Sequence, residues 1–221
     1  VRSFFHSVDG IQNDSQRRAL VDLLGKPIEE AHALCIPTAV YGMKEGPYHS
    51  YSFITGTGST PMCELGFQSV GVLELTALPS LDESLWVPLV EQADVLLVNG
   101  GDPLFLNYWM KKSGLADRLP SLKATYVGLS AGSMVLTPRI GQAFVEWTAS
   151  HTTSDETLGL VEFSIFPHLD HELLPENTLD EAVKWAADLT GPSYAIDDQT
   201  AIQVIDGVIE VISEGNWKRF N

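Results

Sequence analysis

Short hydrophobic runs recur along the chain, and each is followed by Gly, Pro or polar residues and then by a longer stretch with helical hydrophobic spacing. This alternation is typical of buried parallel strands connected by helices. Because such connections are right-handed, we expect an α/β fold with a doubly wound, mostly parallel sheet and helices on both faces. The predicted strands are residues 4–8, 33–40, 70–75, 95–98 and 125–129, and the predicted helices are about 14–24, 61–68, 84–91, 103–112 and 132–136.

The C-terminal third of the chain has a different pattern. An apolar run at 163–166 is followed by a helical stretch at 177–189 and then by three closely spaced runs, at 194–196, 201–205 and 208–212. The dipeptide Asp206-Gly207 between the last two runs is a strong signal for a two-residue hairpin. We therefore expect a C-terminal antiparallel hairpin that extends the sheet, and one α/β domain over residues 1–221.

Composition and charge narrow the class of protein. The chain is 44% hydrophobic with a mean hydropathy of +0.05. Its apolar runs are much shorter than the roughly 20 residues of a membrane span, and its first residues are too polar for a secretory signal. Two cysteines, Cys35 in a predicted strand and Cys63 in a predicted helix, provide no disulfide framework. We expect a cytoplasmic protein with no membrane partner.

The net charge of −16 and the pI near 4.5 bear on the choice of ligand. Binding to a phosphate backbone depends on patches of Lys and Arg, so we expect no nucleic-acid partner. Much of this charge is expected to serve solubility. The acidic field also disfavours an anionic substrate, unless a local Arg or Lys binds it.

The pentapeptide Gly128-Leu129-Ser130-Ala131-Gly132 lies between a predicted strand and a predicted helix. A serine on a tight strand-to-helix turn needs small neighbours, because the backbone is crowded there. Such a turn exposes the hydroxyl at the carboxyl edge of a sheet, and the N–H groups that open the helix can face a developing negative charge. The pattern predicts a nucleophile elbow with Ser130 as the nucleophile.

A serine nucleophile needs a base and a group that orients the base. His168 follows an apolar strand that ends at Pro167, so it is expected at the sheet edge where Ser130 emerges, and His171 is its rival. The orienting acid is expected in Asp197-Asp198, which follows the apolar run at 194–196. Asp170 and Glu146 are weaker candidates for this acid.

Three further features of the sequence bear on the chemistry of the site. The run at 95–98 leads into Asn99-Gly100-Gly101-Asp102, a glycine turn that can offer a backbone N–H to an oxyanion. The pair His168 and His171 with its flanking carboxylates allows a metal site, but its spacing differs from the H-E-x-x-H form. The glycine-rich segment 56–60 matches no phosphate-binding pattern and is expected to form a loop near the site.

With these segments in order, the chain resembles the peptidase E family of serine peptidases, family S51, which includes aspartyl dipeptidases and cyanophycinases. The resemblance is carried by residues 95–102, 128–132, 166–168 and 195–204. It implies Ser130 as nucleophile, His168 as general base and then acid, and Asp198 where the dipeptidase has a Glu near the histidine. It places the oxyanion donors at the N–H groups of Gly101 and Ala131. It also implies a fold like that of class I glutamine amidotransferases, and no metal or organic cofactor.

The resemblance predicts a serine peptidase, similar to a dipeptidase, with a small peptide as substrate. The aspartyl dipeptidases carry basic residues near the segment that is 177–181 here, whereas this chain has acids and no arginine there, which argues against a substrate with N-terminal Asp. The alternatives are a catalytically inactive binding or regulatory homologue and a metal-dependent hydrolase that uses His168 and His171. A homodimer is compatible with all three.

Overall fold

The computed structural model describes residues 3–147 and 154–221. Within these ranges the helices are α1 (Asp14–Leu24), α2 (Gly46–Thr55), α3 (Glu83–Gln92), α4 (Pro103–Lys112), α5 (Leu115–Arg118), α6 (Ala131–Met134) and α7 (Leu179–Ala187). The strands are β1 (Ser3–Ser7), β2 (His32–Ile36), β3 (Ser69–Val72), β4 (Val95–Val98), β5 (Thr125–Leu129), β6 (Ser164–Phe166), β7 (Ser193–Ile196), β8 (Thr200–Ile205), β9 (Val208–Ser213) and β10 (Trp217–Phe220).

The main sheet has the strand order β3-β2-β4-β5-β1-β8-β9. The first five of these strands are parallel to one another, whereas β8 pairs antiparallel with β1 and β9 pairs antiparallel with β8. A separate small sheet has the order β10-β7-β6. The predicted fold class is confirmed, including the mostly parallel sheet and the C-terminal antiparallel hairpin.

The two faces of the main sheet are covered by different helices, as β4 illustrates. Leu96 and Val98 belong to the core that also contains residues of α3 and α4, whereas Val95 and Leu97 belong to the core that also contains residues of α1 and α2. Because successive side chains of a strand point to opposite faces, a strand buried on both sides must be apolar throughout. This requirement explains the continuous apolar runs of the sequence.

One predicted helix is wrong. Residues 61–68 form turns, in which Gly66 has a left-handed φ of 97°, and Cys63 therefore lies in a turn. The helix of this region is α2, which has Pro47 in its first turn and ends at Gly56 with φ 64°. A proline just inside the start of a segment and a glycine just past its end together indicate a helix. The hydrophobic spacing of α2 alone does not indicate one.

Three predicted strands also differ from the structure. The strand predicted at 33–40 ends at Ile36, because Pro37 follows and the chain enters a 3₁₀ helix. The strand predicted at 70–75 ends at Val72, and the N–H of Leu75 donates to the hydroxyl of Thr38. The run at 194–196 becomes β7 of the small sheet, so only β8 and β9 extend the main sheet.

None of the helices within 3–147 and 154–221 is long and apolar enough to cross a lipid bilayer.

His6 lies within β1, between β5 and β8, and is fully buried. Its ring packs edge-on against Phe163, with 5.4 Å between ring centroids. Burial lowers the pKa of His6 to about 4, so the ring is neutral at neutral pH. Because an unfolded chain protonates histidine near pH 6.5, the folded protein loses stability as the pH falls from about 6.5 to about 4.

Replacing His6 by Phe, which keeps a buried ring but cannot titrate, should reduce this acid sensitivity. Between pH 7.5 and pH 5 the variant should lose about 2 kcal/mol less unfolding free energy than the wild type. Denaturant unfolding at both pH values measures the difference, and His49→Gln, on the exposed side of α2, is the control. Equal losses in wild type and His6→Phe would contradict the assignment.

Candidate functional site

The sheet topology brings the predicted site residues to one edge. Strands β4, β5 and β1 lie side by side and run parallel, so their carboxyl ends share this edge, and the antiparallel β8 begins there. Gly101 follows β4, Ser130 follows β5 and Asp198 precedes β8. His168 comes from the small sheet, two residues after the end of β6.

Ser130 has an unusual backbone conformation, with φ 48° and ψ −110°. A non-glycine residue in such a region costs on the order of 1–3 kcal/mol and needs support from its surroundings. Its N–H donates to the Ser7 carbonyl at 3.1 Å, and its own carbonyl accepts the N–H groups of Ser133 and Met134 at 2.8 and 2.9 Å. These bonds hold the strand-to-helix turn that presents the Ser130 hydroxyl.

The glycines on either side of Ser130 allow three backbones to approach closely. A Cβ on Gly128 would lie 2.6 Å from the carbonyl carbon and oxygen of Gly132, and a Cβ on Gly132 would overlap the Val98 carbonyl. The buried Tyr126 hydroxyl donates to the Gly132 carbonyl at 2.6 Å. A side chain at Gly128 would therefore separate β5 from α6, and a side chain at Gly132 would separate α6 from β4.

The glycine turn after β4 lies against Ser130. A Cβ on Gly100 would lie 3.3 Å from the Ser130 Cβ. Gly101 has φ 131°, and a Cβ on it would overlap the backbone of Ala39. The next residue, Asp102, donates its N–H to the Ala39 carbonyl at 3.0 Å and caps α4 with its carboxylate. The hydrogen bonds of Asp102 to Ala39 and to the start of α4 thus fix the turn beside the serine.

Ser130, His168 and Asp198 form a hydrogen-bonded chain. His168 Nδ1 lies 2.8 Å from Asp198 Oδ1, and His168 Nε2 lies 3.2 Å from Ser130 Oγ. A carboxylate only accepts hydrogen bonds, so Nδ1 carries the ring proton and Nε2 is left as the acceptor for the serine hydroxyl. This tautomer is the one that a general base requires.

The structure distinguishes Asp198 from its neighbour Asp197. One carboxylate oxygen of Asp197 accepts the Thr200 hydroxyl at 2.7 Å and the Gln199 N–H at 3.1 Å, and the other accepts the Asn216 N–H. Asp197 is therefore occupied in holding the loop between β7 and β8. Asp198 is the carboxylate that meets His168.

His171 adds a second imidazole to the same carboxylate. Its Nε2 lies 3.3 Å from Asp198 Oδ2, and its Nδ1 accepts the N–H of Leu173 at 3.0 Å. Since Nδ1 accepts, Nε2 carries the proton and faces the carboxylate. The two rings pack edge to face with 5.8 Å between their centroids, so adjacent imidazoles contact the two oxygens of Asp198.

Asp9 belongs to the same site, although no sequence motif marks it. It lies two residues beyond β1 and interacts electrostatically with Asp198, His168 and His171. Partial burial, and then repulsion by Asp198, raise the pKa of Asp9 to about 6. The sequence does show a carboxylate just after a central strand. This signal alone did not indicate a site residue, because the short turn 9–12 matches no motif.

The two weaker candidates for the orienting acid, Asp170 and Glu146, have other interactions. The N–H of Asp170 donates to the Asn177 carbonyl, which holds the turn after His168, and Glu146 acts electrostatically on Asp102. Within the ranges 3–147 and 154–221, no group of three or more His, Cys, Asp and Glu side chains is arranged to hold a metal ion. Both cysteines are buried and free.

A serine, a histidine and an aspartate joined by hydrogen bonds at the carboxyl edge of a parallel sheet form an arrangement that serine hydrolases use. A family model, peptidase family S51, matches residues 6–212, and the chain belongs to this family, which makes it a serine-type peptidase. Comparison with curated proteins finds no match.

Two solved structures are similar over nearly the whole chain. One, assigned to peptidase E and from Listeria monocytogenes EGD-e, is 18% identical with a TM-score of 0.70, over 97% of this chain and 99% of that one. The other, a peptidase from an acI-B1 Actinobacterium, is 22% identical with a TM-score of 0.69, over 98% of this chain and 89% of that one. These similarities establish the shared fold.

Replacing Gly101 by Ala tests the fixed glycine turn. The variant combines a strained φ with an overlap against the Ala39 backbone, so we expect a loss of more than ~3 kcal/mol in unfolding free energy. Gly25→Ala is the matched control, because Gly25 also has a left-handed φ, of 65°, but has open space around it. Denaturant unfolding of both variants measures the costs, and similar losses would show that no close approach exists at Gly101.

Proposed function

We propose that this protein hydrolyses short peptides by acyl transfer through Ser130. The observation that carries the proposal is the chain of contacts in which Ser130 Oγ lies 3.2 Å from His168 Nε2 and His168 Nδ1 lies 2.8 Å from Asp198. Nucleophile, base and orienting acid are thus joined in the order that acyl transfer requires. Membership of a serine-type peptidase family supports the same chemistry.

In the first half of the reaction, His168 Nε2 takes the proton of the Ser130 hydroxyl as Oγ attacks the scissile carbonyl carbon. The tetrahedral intermediate collapses when His168 returns this proton to the leaving amine, which departs as the first product and leaves Ser130 acylated. Asp198 holds the tautomer of His168 and stabilises the imidazolium that forms between these steps. In the second half, His168 takes a proton from the water that attacks the acyl-enzyme, and it returns this proton to Ser130 Oγ as the ester bond breaks and the acid product leaves.

The oxyanion of each tetrahedral intermediate is stabilised by the N–H groups of Gly101 and Ala131. Ala131 is the first residue of α6, where N–H groups have no acceptor within the helix. Gly101 lies in the turn that packs beside Ser130. Donors fixed in place before the reaction lower its barrier because no reorganisation is needed as charge develops.

The substrate is a short peptide, and an acidic N-terminal side chain is not expected. The segment 177–181 contains Asp180 and Glu181, and the nearest base along α7, Lys184, pairs with Glu181 at 2.5 Å. This arrangement offers no obvious partner for a substrate carboxylate, in line with the net charge of −16.

A fluorophosphonate probe tests the nucleophile directly. The wild type should be labelled at Ser130, and Ser130→Ala should lose both the label and dipeptide hydrolysis. Asp198→Asn should reduce hydrolysis by roughly 10⁴-fold through the wrong histidine tautomer, whereas Asp197→Asn should mainly lower stability. Mass spectrometry of the labelled peptide and a dipeptide-library assay provide the measurements.

Three results would each reject this function. Full hydrolysis by Ser130→Ala would show that another group attacks the substrate. An unlabelled, inactive wild type would instead favour the binding or regulatory homologue. Inhibition by a chelator, reversed by zinc, would favour the hydrolase based on His168 and His171.

The contact between His171 and Asp198 predicts a graded effect on turnover. His171→Phe should lower kcat by roughly 3- to 10-fold, because one donor beside the carboxylate is lost. His171→Gln, which can place an amide N–H near the position of Nε2, should recover most of this loss, whereas KM should change little in both variants. Equal kcat for the wild type and His171→Phe would show that the contact has no role in turnover.

A further inference from the structure

The pairing of β1 with its two neighbours places Asp9 between the serine and the acid. In the β1–β5 register Ser7 lies opposite Leu129, so the residues beyond β1 run beside Ser130. In the antiparallel β1–β8 register His6 lies opposite Ile202, and continuing it beyond β1 brings Asp9 level with Gln199. The segment is also tied there directly, because the Asn13 side chain donates to the Gln199 carbonyl at 2.9 Å.

The carboxylate of Asp9 is held in place but lacks a positive partner. Gln12 Nε2 donates to Asp9 Oδ2 at 2.6 Å and to the Asp9 carbonyl at 2.7 Å. Among the described residues, no Lys or Arg forms an ion pair with Asp9. The charged or titratable groups that face it are Asp198 and His168 of the proposed catalytic chain, and His171, which contacts Asp198.

A half-buried carboxylate in this position is costly for the fold. Burial and the charge of Asp198 both oppose its ionised form, and they raise its pKa to about 6. Groups that destabilise the free protein in this way are typical of functional sites, where the ligand supplies the missing interaction. The interaction that Asp9 lacks is one with a positively charged group that donates hydrogen bonds.

We propose that Asp9 binds a primary ammonium group of the substrate. The inference rests on the proposed function, because it places this ammonium beside the carbonyl that Ser130 attacks. The α-ammonium of an N-terminal residue is separated from that carbonyl by the α-carbon alone, so a carboxylate next to Ser130 and His168 is well placed for it. The side-chain ammonium of a lysine has the same chemistry, and the experiment separates the two sources.

Binding can be measured without turnover, in the Ser130→Ala protein, by titration calorimetry. Alanyl-leucine is compared with propionyl-leucine, which has the same shape and lacks only the amine. We expect the amine to tighten binding roughly 10- to 100-fold, the range for a hydrogen bond to a charged group. The side-chain source is tested with N-acetyl-lysyl-leucine against N-acetyl-norleucyl-leucine.

Adding Asp9→Asn should reduce the preference for whichever ammonium binds to less than about 3-fold and leave the affinity for propionyl-leucine unchanged. Asp22→Asn, an exposed carboxylate on α1, is the matched control for the loss of one negative charge. Equal binding of amine and amine-free ligands, a preference that survives in Asp9→Asn, or no binding of any amine would each overturn the proposal.

Turnover distinguishes this role from the proposed chemistry. In the active protein, Asp9→Asn should raise KM for alanyl-leucine by a much larger factor than it changes the rate at which fluorophosphonate labels Ser130. A labelling rate that falls in parallel with hydrolysis would mean that Asp9 supports the triad instead of the substrate. Failure of Ser130 to react in the wild type would reject the proposed function, whereas the binding comparison would still decide the role of Asp9.

Discussion

The backbone of Ser130 is held in a left-handed conformation that a serine does not adopt without support, and the arrangement of the site depends on this turn. The turn requires that β4, β5 and α6 approach more closely than side chains at Gly128 or Gly132 would permit. The same approach brings the glycine turn after β4 against the serine. A single packing constraint thus positions both the proposed nucleophile and the proposed backbone donors, without any contribution from substrate binding.

Electrostatics at this edge are set by carboxylates. Asp198 contacts two imidazoles, and Asp9, which lies between the serine and Asp198 along the sheet edge, forms no ion pair with a Lys or Arg of the described residues. The arrangement suits a reaction in which positive charge forms on His168, and it suits a ligand that brings positive charge of its own. An acidic substrate group would meet repulsion from both carboxylates, which is why the proposed specificity differs from that of the aspartyl dipeptidases that the chain resembles.

Much of the fold follows from sequence patterns, because strands buried on both faces must be continuously apolar. The helices α1 and α4 match their predicted bounds, since caps and prolines mark their ends. Helix α2 was not predicted, because its hydrophobic residues are not confined to one face. The position of β7 in the small sheet was also not predicted, because it depends on which sheet the neighbouring strands occupy. Long-range pairing of this kind leaves no local signal.

The residues of the candidate site were also only partly predictable from local sequence patterns. Ser130 and His168 lie at strand ends, which local patterns reveal, whereas the choice between Asp197 and Asp198 depends on a loop that binds one of them. Asp9 has no local motif, and only the registers of β1 with β5 and β8 bring it to the site. Residues that act through tertiary position alone are those that a single sequence does not reveal.

The central claim is that Ser130 attacks a carbonyl whose oxygen is held by two backbone N–H groups. A crystal structure of the protein inactivated by a small fluorophosphonate tests it most directly. We predict a covalent bond from Ser130 Oγ to phosphorus, with the phosphoryl oxygen within hydrogen-bond distance, about 2.7–3.1 Å, of the N–H groups of Gly101 and Ala131. An adduct on another residue, or a phosphoryl oxygen directed away from both N–H groups, would contradict the account.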